Sequence, residues 1–124
     1  MEITIIDKSA LIGEKINFNS IVFRLHPVEG DDKGNITALW PLLVTIVRGG
    51  AVKVLLDMQD VDFIDSRGIG IIINSAKHLR TIKGDIVLIN ISEKISRIFD
   101  VLNINRIIKV FDSEEDAMHH LKFI

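Results

Sequence analysis

The run Ala51-Val52-Lys53-Val54-Leu55-Leu56-Asp57-Met58 constrains this chain more than any other segment. It is aliphatic and β-branched without the polar alternation of a half-wet strand, so it reads as a strand buried on both faces, in the centre of a sheet covered by helices. Segments with helical spacing flank it. Before it, Leu39, Leu42, Leu43, Ile46 and Val47 recur at intervals of three and four. Asn35 or Thr37 can cap that helix, Pro41 belongs in its first turn, and Arg48-Gly49-Gly50 ends it. After it, Ile69, Ile72, Ile73, Ala76, Leu79 and Ile82 share one side of a second helix, which Gly84 stops.

The other elements follow the same logic. Residues 2–7 and 20–26 read as strands, the second alternating Ile21, Phe23 and Leu25 against Val22, Arg24 and His26. Residues 26–35 form a polar loop with Pro27, two glycines and paired acids. Residues 85–91 give another strand, and Ser92 caps a short helix with Ile95, Ile98, Phe99 and Leu102 inward. A last strand is expected over 106–111, and Ser113 with Asp116 opens a terminal helix. The order ββαβαβαβα implies right-handed parallel crossovers. The expected fold is therefore α/β: one domain over 1–124, with a mixed sheet of about five strands, an edge pair of mixed direction at its N-terminal end and helices mainly on one face.

Composition removes several classes of function. A length of 124 residues suits one compact domain. Fifteen bases against 17 acids give a net charge of −2, with no basic block of the kind that holds nucleic acid. The absence of cysteine excludes disulfides, thiol catalysis and cysteine-based metal sites. The N-terminus carries acids where a signal peptide carries bases, and no apolar run approaches the roughly 18 residues of a membrane span, so a soluble cytoplasmic domain without membrane insertion is expected. Among the four histidines, His119 and His120 are adjacent and diverge on a helix, so no metal is expected; no cofactor motif appears either. Ser66 lacks a Gly-x-Ser-x-Gly elbow, and enzymatic activity is not expected.

Working residues in α/β proteins concentrate where a strand gives way to a helix. Here that break is Asp65-Ser66-Arg67-Gly68-Ile69-Gly70. Ser66 is placed at the N-cap, and a phosphate on it would meet a helix amino end, two glycines, the cation Arg67 and repulsion from Asp65 and Asp62. Three readings are open: a cap and nothing more, a phosphorylation switch, or a phosphate-ligand site, the last lacking the rest of a nucleotide fingerprint. Asp57, Asp60, Asp62 and Asp65 also form an acidic set that suits aspartyl phosphorylation or magnesium, or else solvated loop acids with Asp65 orienting the turn.

The ordered series Leu56-Asp57-Met58, Phe63-Ile64-Asp65-Ser66-Arg67-Gly68-Ile69-Gly70, Lys83-Gly84, Arg97-Ile98-Phe99 and Leu102-Asn103-Ile104 resembles the STAS domain of bacterial anti-sigma-factor antagonists and of sulfate-transporter tails. In detail the resemblance covers Val54 to Ala117. It implies a non-enzymatic signalling module in which Ser66, after the motif aspartate, is phosphorylated by an anti-sigma factor. That partner is a serine kinase of the histidine-kinase-like ATPase fold, captured by the unphosphorylated protein. Asp65, Arg67, Gly68, Ile69, Gly70, Asp62, Asp31 and Asp32 make up the implied partner and switch surface. Arg67 replaces the second hydroxyl of the family pattern, and Asp31 and Asp32 stand upstream of the position, here Gly34, that usually holds a loop aspartate. The implied alternative is a STAS accessory or ligand-binding subunit of a transport or stress-signalling complex in which Ser66 is never phosphorylated. The protein is expected to be a monomer or weak dimer.

Overall fold

The apolar run at the centre of the sequence forms strand β3 (Lys53–Asp57), and all five of its residues are buried. The protein is described from a computed structural model over residues 2–5, 22–26 and 39–124. Around β3 lie β1 (Glu2–Ile5), β2 (Val22–His26), α1 (Leu39–Arg48), α2 (Ser66–Thr81), β4 (Asp85–Ile89), α3 (Glu93–Val101), β5 (Lys109–Phe111) and α4 (Glu114–Lys122). The sheet has five strands in the order β1-β2-β3-β4-β5. β1 runs antiparallel to β2, with Ile3 opposite Leu25. The other neighbours are parallel, in the registers Leu25↔Leu56, Leu56↔Leu88 and Leu88↔Val110.

Strands laid side by side in chain order, joined by right-handed crossovers, must carry their connecting helices on one face. The packing follows that rule. Leu43 and Val47 of α1, Ile72, Ala76 and Leu79 of α2, and Ile95 and Phe99 of α3 pack on Leu25, Val54, Leu56, Ile86 and Leu88. The alternate residues Val22, Leu55, Val87 and Ile89 point to the opposite face, where α4 covers them with Ala117 and Leu121. The predicted mixed sheet with helices mainly on one face is therefore the fold observed.

Two local differences have physical causes. The last strand, expected from 106, begins at Lys109, because the chain first coils through a 3-10 turn at Ile104–Arg106. Asn103 enters that turn with φ 55°, and both Ile107 and Ile108 donate to Ile104 O, at 2.8 and 2.9 Å. The coil places Ile104 and Ile108 in the core.

The end of α2 also differs in kind. Its left-handed residue is Lys83, at φ 62°, while Gly84 and Lys83 donate back to Leu79 O and Arg80 O at 2.7 and 3.4 Å. Gly84 is required for a separate reason, since a Cβ there would stand 1.9 Å from Val52 O. Gly84→Ala is therefore expected to destabilise by about 1–3 kcal/mol, as overpacking against fixed backbone does. Lys83→Gly relieves a strained φ and should stabilise by a fraction of the roughly 1–2 kcal/mol cost of that conformation. Urea denaturation midpoints check both, and a neutral Gly84→Ala would contradict the close approach.

Candidate functional site

The carboxyl ends of the parallel strands deliver their exit loops to one edge of the sheet. From β3 the chain passes through residues 58–65 into α2. Val61 and Ile64, fully or almost fully buried, pin this loop to the core side. Met58 N bonds Ile89 O and Val61 N bonds Met58 O, each at 3.0 Å. Between and beyond those plugs, Asp60, Asp62, Phe63, Asp65, Ser66 and Arg67 are exposed. Phe63 is 54% exposed, unusual for a large aromatic ring.

At the turn itself one expectation is corrected. The N-cap of α2 is Asp65, in extended backbone at φ −90° and ψ 174°, and its Oδ1 accepts from Gly68 N at 2.8 Å. Ser66 is the first helical residue. Aspartate caps as well as serine and adds a negative charge that the helix dipole favours, so it takes the position first. The consequence for Ser66 is chemical: among the described residues nothing bonds its hydroxyl, and it faces solvent.

The neighbouring glycines differ in surroundings. Gly68 is buried and supplies the capped N–H; Gly70 is half-buried, and among the described residues nothing beyond its chain neighbours and its own helix backbone lies within 4 Å of where its Cβ would be. Ile69, between them, is half-buried and packs on the core. Asp65, Ser66, Arg67, Gly68, Ile69, Gly70 and Asp62 are thus brought together around one turn. Asp31 and Asp32 lie outside the described residues.

The acidic set divides rather than clustering. Asp60, Asp62 and Asp65 are exposed loop acids, as one reading expected, but Asp57 is wholly buried. Its Oδ1 accepts from Gln59 N and from Asn90 Nδ2, both at 3.1 Å, and its Oδ2 takes a hydrogen bond from Arg24 Nη2. Asn90 reaches it from the end of β4 in left-handed backbone, φ 57°. Arg24 Nε lies 3.2 Å from Glu114 Oε1 at the start of α4, without the alignment of a hydrogen bond. His26 Nε2 meets Asp60 Oδ2 at 3.0 Å, with Nδ1 3.9 Å from Asp57 Oδ2.

This polar network escapes a reading by sequence, because Arg24 and Asp57 are 33 residues apart and only the parallel register of β2 and β3 unites them. Asp57 is buried and fully engaged, so it offers no free oxygen to a phosphoryl donor or a metal. At the opposite end of β4, His120 is likewise occupied, with Nε2 3.0 Å from Asp85 Oδ2 while Arg80 Nε bonds Asp85 Oδ1 at 3.2 Å. Among the described residues no group of three His, Asp or Glu could hold a metal ion. Removing Asp57 leaves the largely buried Arg24 cation with only the half-exposed Glu114 carboxylate beside it, and strips Gln59 N and Asn90 Nδ2 of their acceptor, so Asp57→Ala is expected to cost about 3–5 kcal/mol in chemical denaturation, far above the change for Asp62→Ala.

The STAS domain family model matches residues 15–117. The TM1081 homolog of Thermotoga neapolitana, provisionally named an anti-sigma factor antagonist, is 32% identical over 73 residues, which are 59% of this chain. The match spans 65% of that relative's length. The NMR structure of TM1081 itself, from Thermotoga maritima, superposes with a TM-score of 0.68 at 27% identity, covering 89% of this chain and 87% of that one. The anti-sigma factor antagonist SpoIIAA of Bacillus, solved in its unphosphorylated form, has the same fold, with a TM-score of 0.63 at 18% identity over 90% of this chain and 95% of its own. SpoIIAA has also been solved phosphorylated, with a TM-score of 0.54 at 19% identity over 86% of this chain and 95% of its own. The family pattern runs through residues 15–117 and takes in the parallel strands and the Asp-Ser turn into α2, so this chain belongs to the STAS domain family.

Proposed function

We propose that this protein is an anti-sigma-factor antagonist, a non-enzymatic cytoplasmic switch that captures an anti-sigma factor serine kinase of the histidine-kinase-like ATPase fold while Ser66 is unphosphorylated. The carrying observation is the division of labour at the β3–α2 turn. Asp65 holds the cap, so the exposed Ser66 hydroxyl is left unbonded among the described residues and can be reached by a kinase without unwinding the helix. The names of relatives as anti-sigma factor antagonists, and the existence of SpoIIAA in phosphorylated and unphosphorylated forms, support the same reading.

The switching chemistry is local. A phosphate on Ser66 adds about 1.5–2 negative charges and three acceptor oxygens. It would stand beside Asp62 and Asp65, on a surface where Phe63, Ile69 and the bare backbone at Gly70 otherwise offer an apolar contact. Covering that surface with a partner would bury a charge the partner was not built to pair, and like-charge or unpaired contacts at an interface cost several kcal/mol. Arg67 adds a cation where the family pattern has a small hydroxyl, so the partner should present an acid or acceptor opposite it. The docking face we assign comprises Asp62, Asp65, Ser66, Arg67, Ile69 and Gly70 around the buried Gly68, together with Asp31 and Asp32 from earlier in the chain.

Incubation with the ATPase-fold kinase of the same cell and ATP should add one phosphate, mapped by mass spectrometry to Ser66. Ser66→Asp should weaken binding of that kinase by about 10–100-fold, the ratio that 1.4–2.8 kcal/mol produces, while Ser66→Ala binds but takes no phosphate. If protein from cells and from the reaction never carries phosphate at Ser66, and Ser66→Asp binds normally, the switch is lost. Gly70→Ala gives a separate check. It should stabilise the fold by about 0.5–1 kcal/mol, since helix propensity favours alanine and space is open, yet lower partner affinity by roughening the contact face.

A further inference from the structure

The exit loop of β3 is held on two sides by different means. On the core side Met58, Val61 and Ile64 are buried and serve as apolar anchors. On the side of α4 the holds are polar. Asp57 Oδ1 accepts Gln59 N at 3.1 Å, and Asp60 Oδ2 meets His26 Nε2 at 3.0 Å. His26 ends β2, one step beyond the Leu25↔Leu56 pair and so alongside Asp57. Its side chain is 16% exposed, against 35% for Asp60. Beyond Asp60 the chain runs through exposed Asp62 and Phe63 to the cap at Asp65 and on to Ser66.

Among the described residues, the His26–Asp60 contact is the side-chain tie from another element to the exposed part of this loop. The Arg24–Asp57 pair is a different kind of hold. It is buried, so breaking it threatens the whole fold. The His26–Asp60 contact reaches a carboxylate that is still 35% exposed, so it contributes far less to global stability than the buried Arg24–Asp57 pair. Its effect falls on the local opening of the segment it fastens.

From this geometry we infer that His26, through Asp60, is a positioning residue for the switch loop, fixing residues 59–63 and thereby the presentation of Ser66. The inference rests on the reading of Ser66 as the switch for its functional meaning, but not for its structural test. The mechanism requires that His26 donate to, or pair with, Asp60; a glutamine amide at the same position can donate to the same carboxylate.

The decisive measurement is native-state hydrogen exchange on the full chain, resolved by NMR at the hydrogen-bonded loop amides of Gln59 and Val61, with urea denaturation alongside. His26→Ala should speed exchange at these amides by about threefold to fivefold, with the amides of β3 and β4 much less affected and the denaturation midpoint lowered far less than by Asp57→Ala. His26→Gln should restore most of the protection. In an Asp60→Ala background, His26→Ala should add no further acceleration. Unchanged loop exchange in His26→Ala, equal acceleration throughout the core, or full additivity with Asp60→Ala would each overturn the inference. A second arm uses the ATPase-fold kinase: the rate of Ser66 phosphorylation should fall in His26→Ala and recover in His26→Gln. Loop exchange is read on the protein alone, so it stands or fails whether or not Ser66 ever takes phosphate.

Discussion

Handedness is the constraint on which the rest of this structure depends. A sheet whose strands follow chain order, with right-handed connections between β2, β3, β4 and β5, has to put α1, α2 and α3 on one face. Three consequences follow at once. The second face is left to α4, the helix that follows the last strand. Every exit from a parallel strand is gathered on one edge of the sheet. The helices that follow those exits start near that edge with their amino ends, so caps, exposed hydroxyls and loop acids of distant sequence origin come within reach of one partner surface.

At that edge, two carboxylates eight residues apart in sequence are put to opposite uses by their surroundings. Asp57 is the last residue of β3, pointing to the α4 face, where the sheet has already removed water. Such a carboxylate can persist only if its oxygens are met by donors, and an arginine, an asparagine and a backbone amide meet them. Asp65 sits in solvent, and its demand is slight; it caps a helix and leaves Ser66 free. A buried pair of this kind is weak evidence for stability, since apolar residues of like volume often stabilise as much. What it does is fix register. Only with Leu25 beside Leu56 does Arg24 reach Asp57, and a slip of one residue would turn the guanidinium to the apolar core.

Much of this is legible in the sequence because the signals are local. The spacing in α1 and α2, the caps Ser92 and Ser113, and the unbroken apolar run of β3 each depend on a few neighbouring residues, and Ser92 Oγ and Ser113 Oγ do accept Ile95 N and Asp116 N at 3.2 and 3.1 Å. What a pattern misreads depends on competition or on distance. Asp65 and Ser66 are both good caps, and pattern alone does not rank two adjacent candidates. Gly84 reads as a helix stop, whereas its reason is the approach of Val52 from outside the helix. The strand expected at 106 yields to a 3-10 turn because burying Ile104 and Ile108 together outweighs β propensity over three residues. The Arg24–Asp57–Asn90 network and the His26–Asp60 tie have no local signature at all. They exist only once the register of three strands is set.

The same division between local and distant fits the turn to the proposed switch. A site that must be bound in one state and refused in another needs a rigid frame and a small region whose surface chemistry can change without disturbing that frame. Buried Met58, Val61 and Ile64 supply the frame, and Ser66, the position proposed for phosphorylation, lies outside it, on the first residue of a helix already capped by its neighbour. Had Ser66 been the cap, a phosphate there would have had to give up or rearrange a helix-terminating hydrogen bond, a change typically worth about 1 kcal/mol, and modification would have been coupled to fraying of α2. With the cap assigned to Asp65, charge can be added to the surface while the backbone beneath it stays as it is. On the proposed reading, capture and release are then decided by the electrostatics of the interface, without a change of fold.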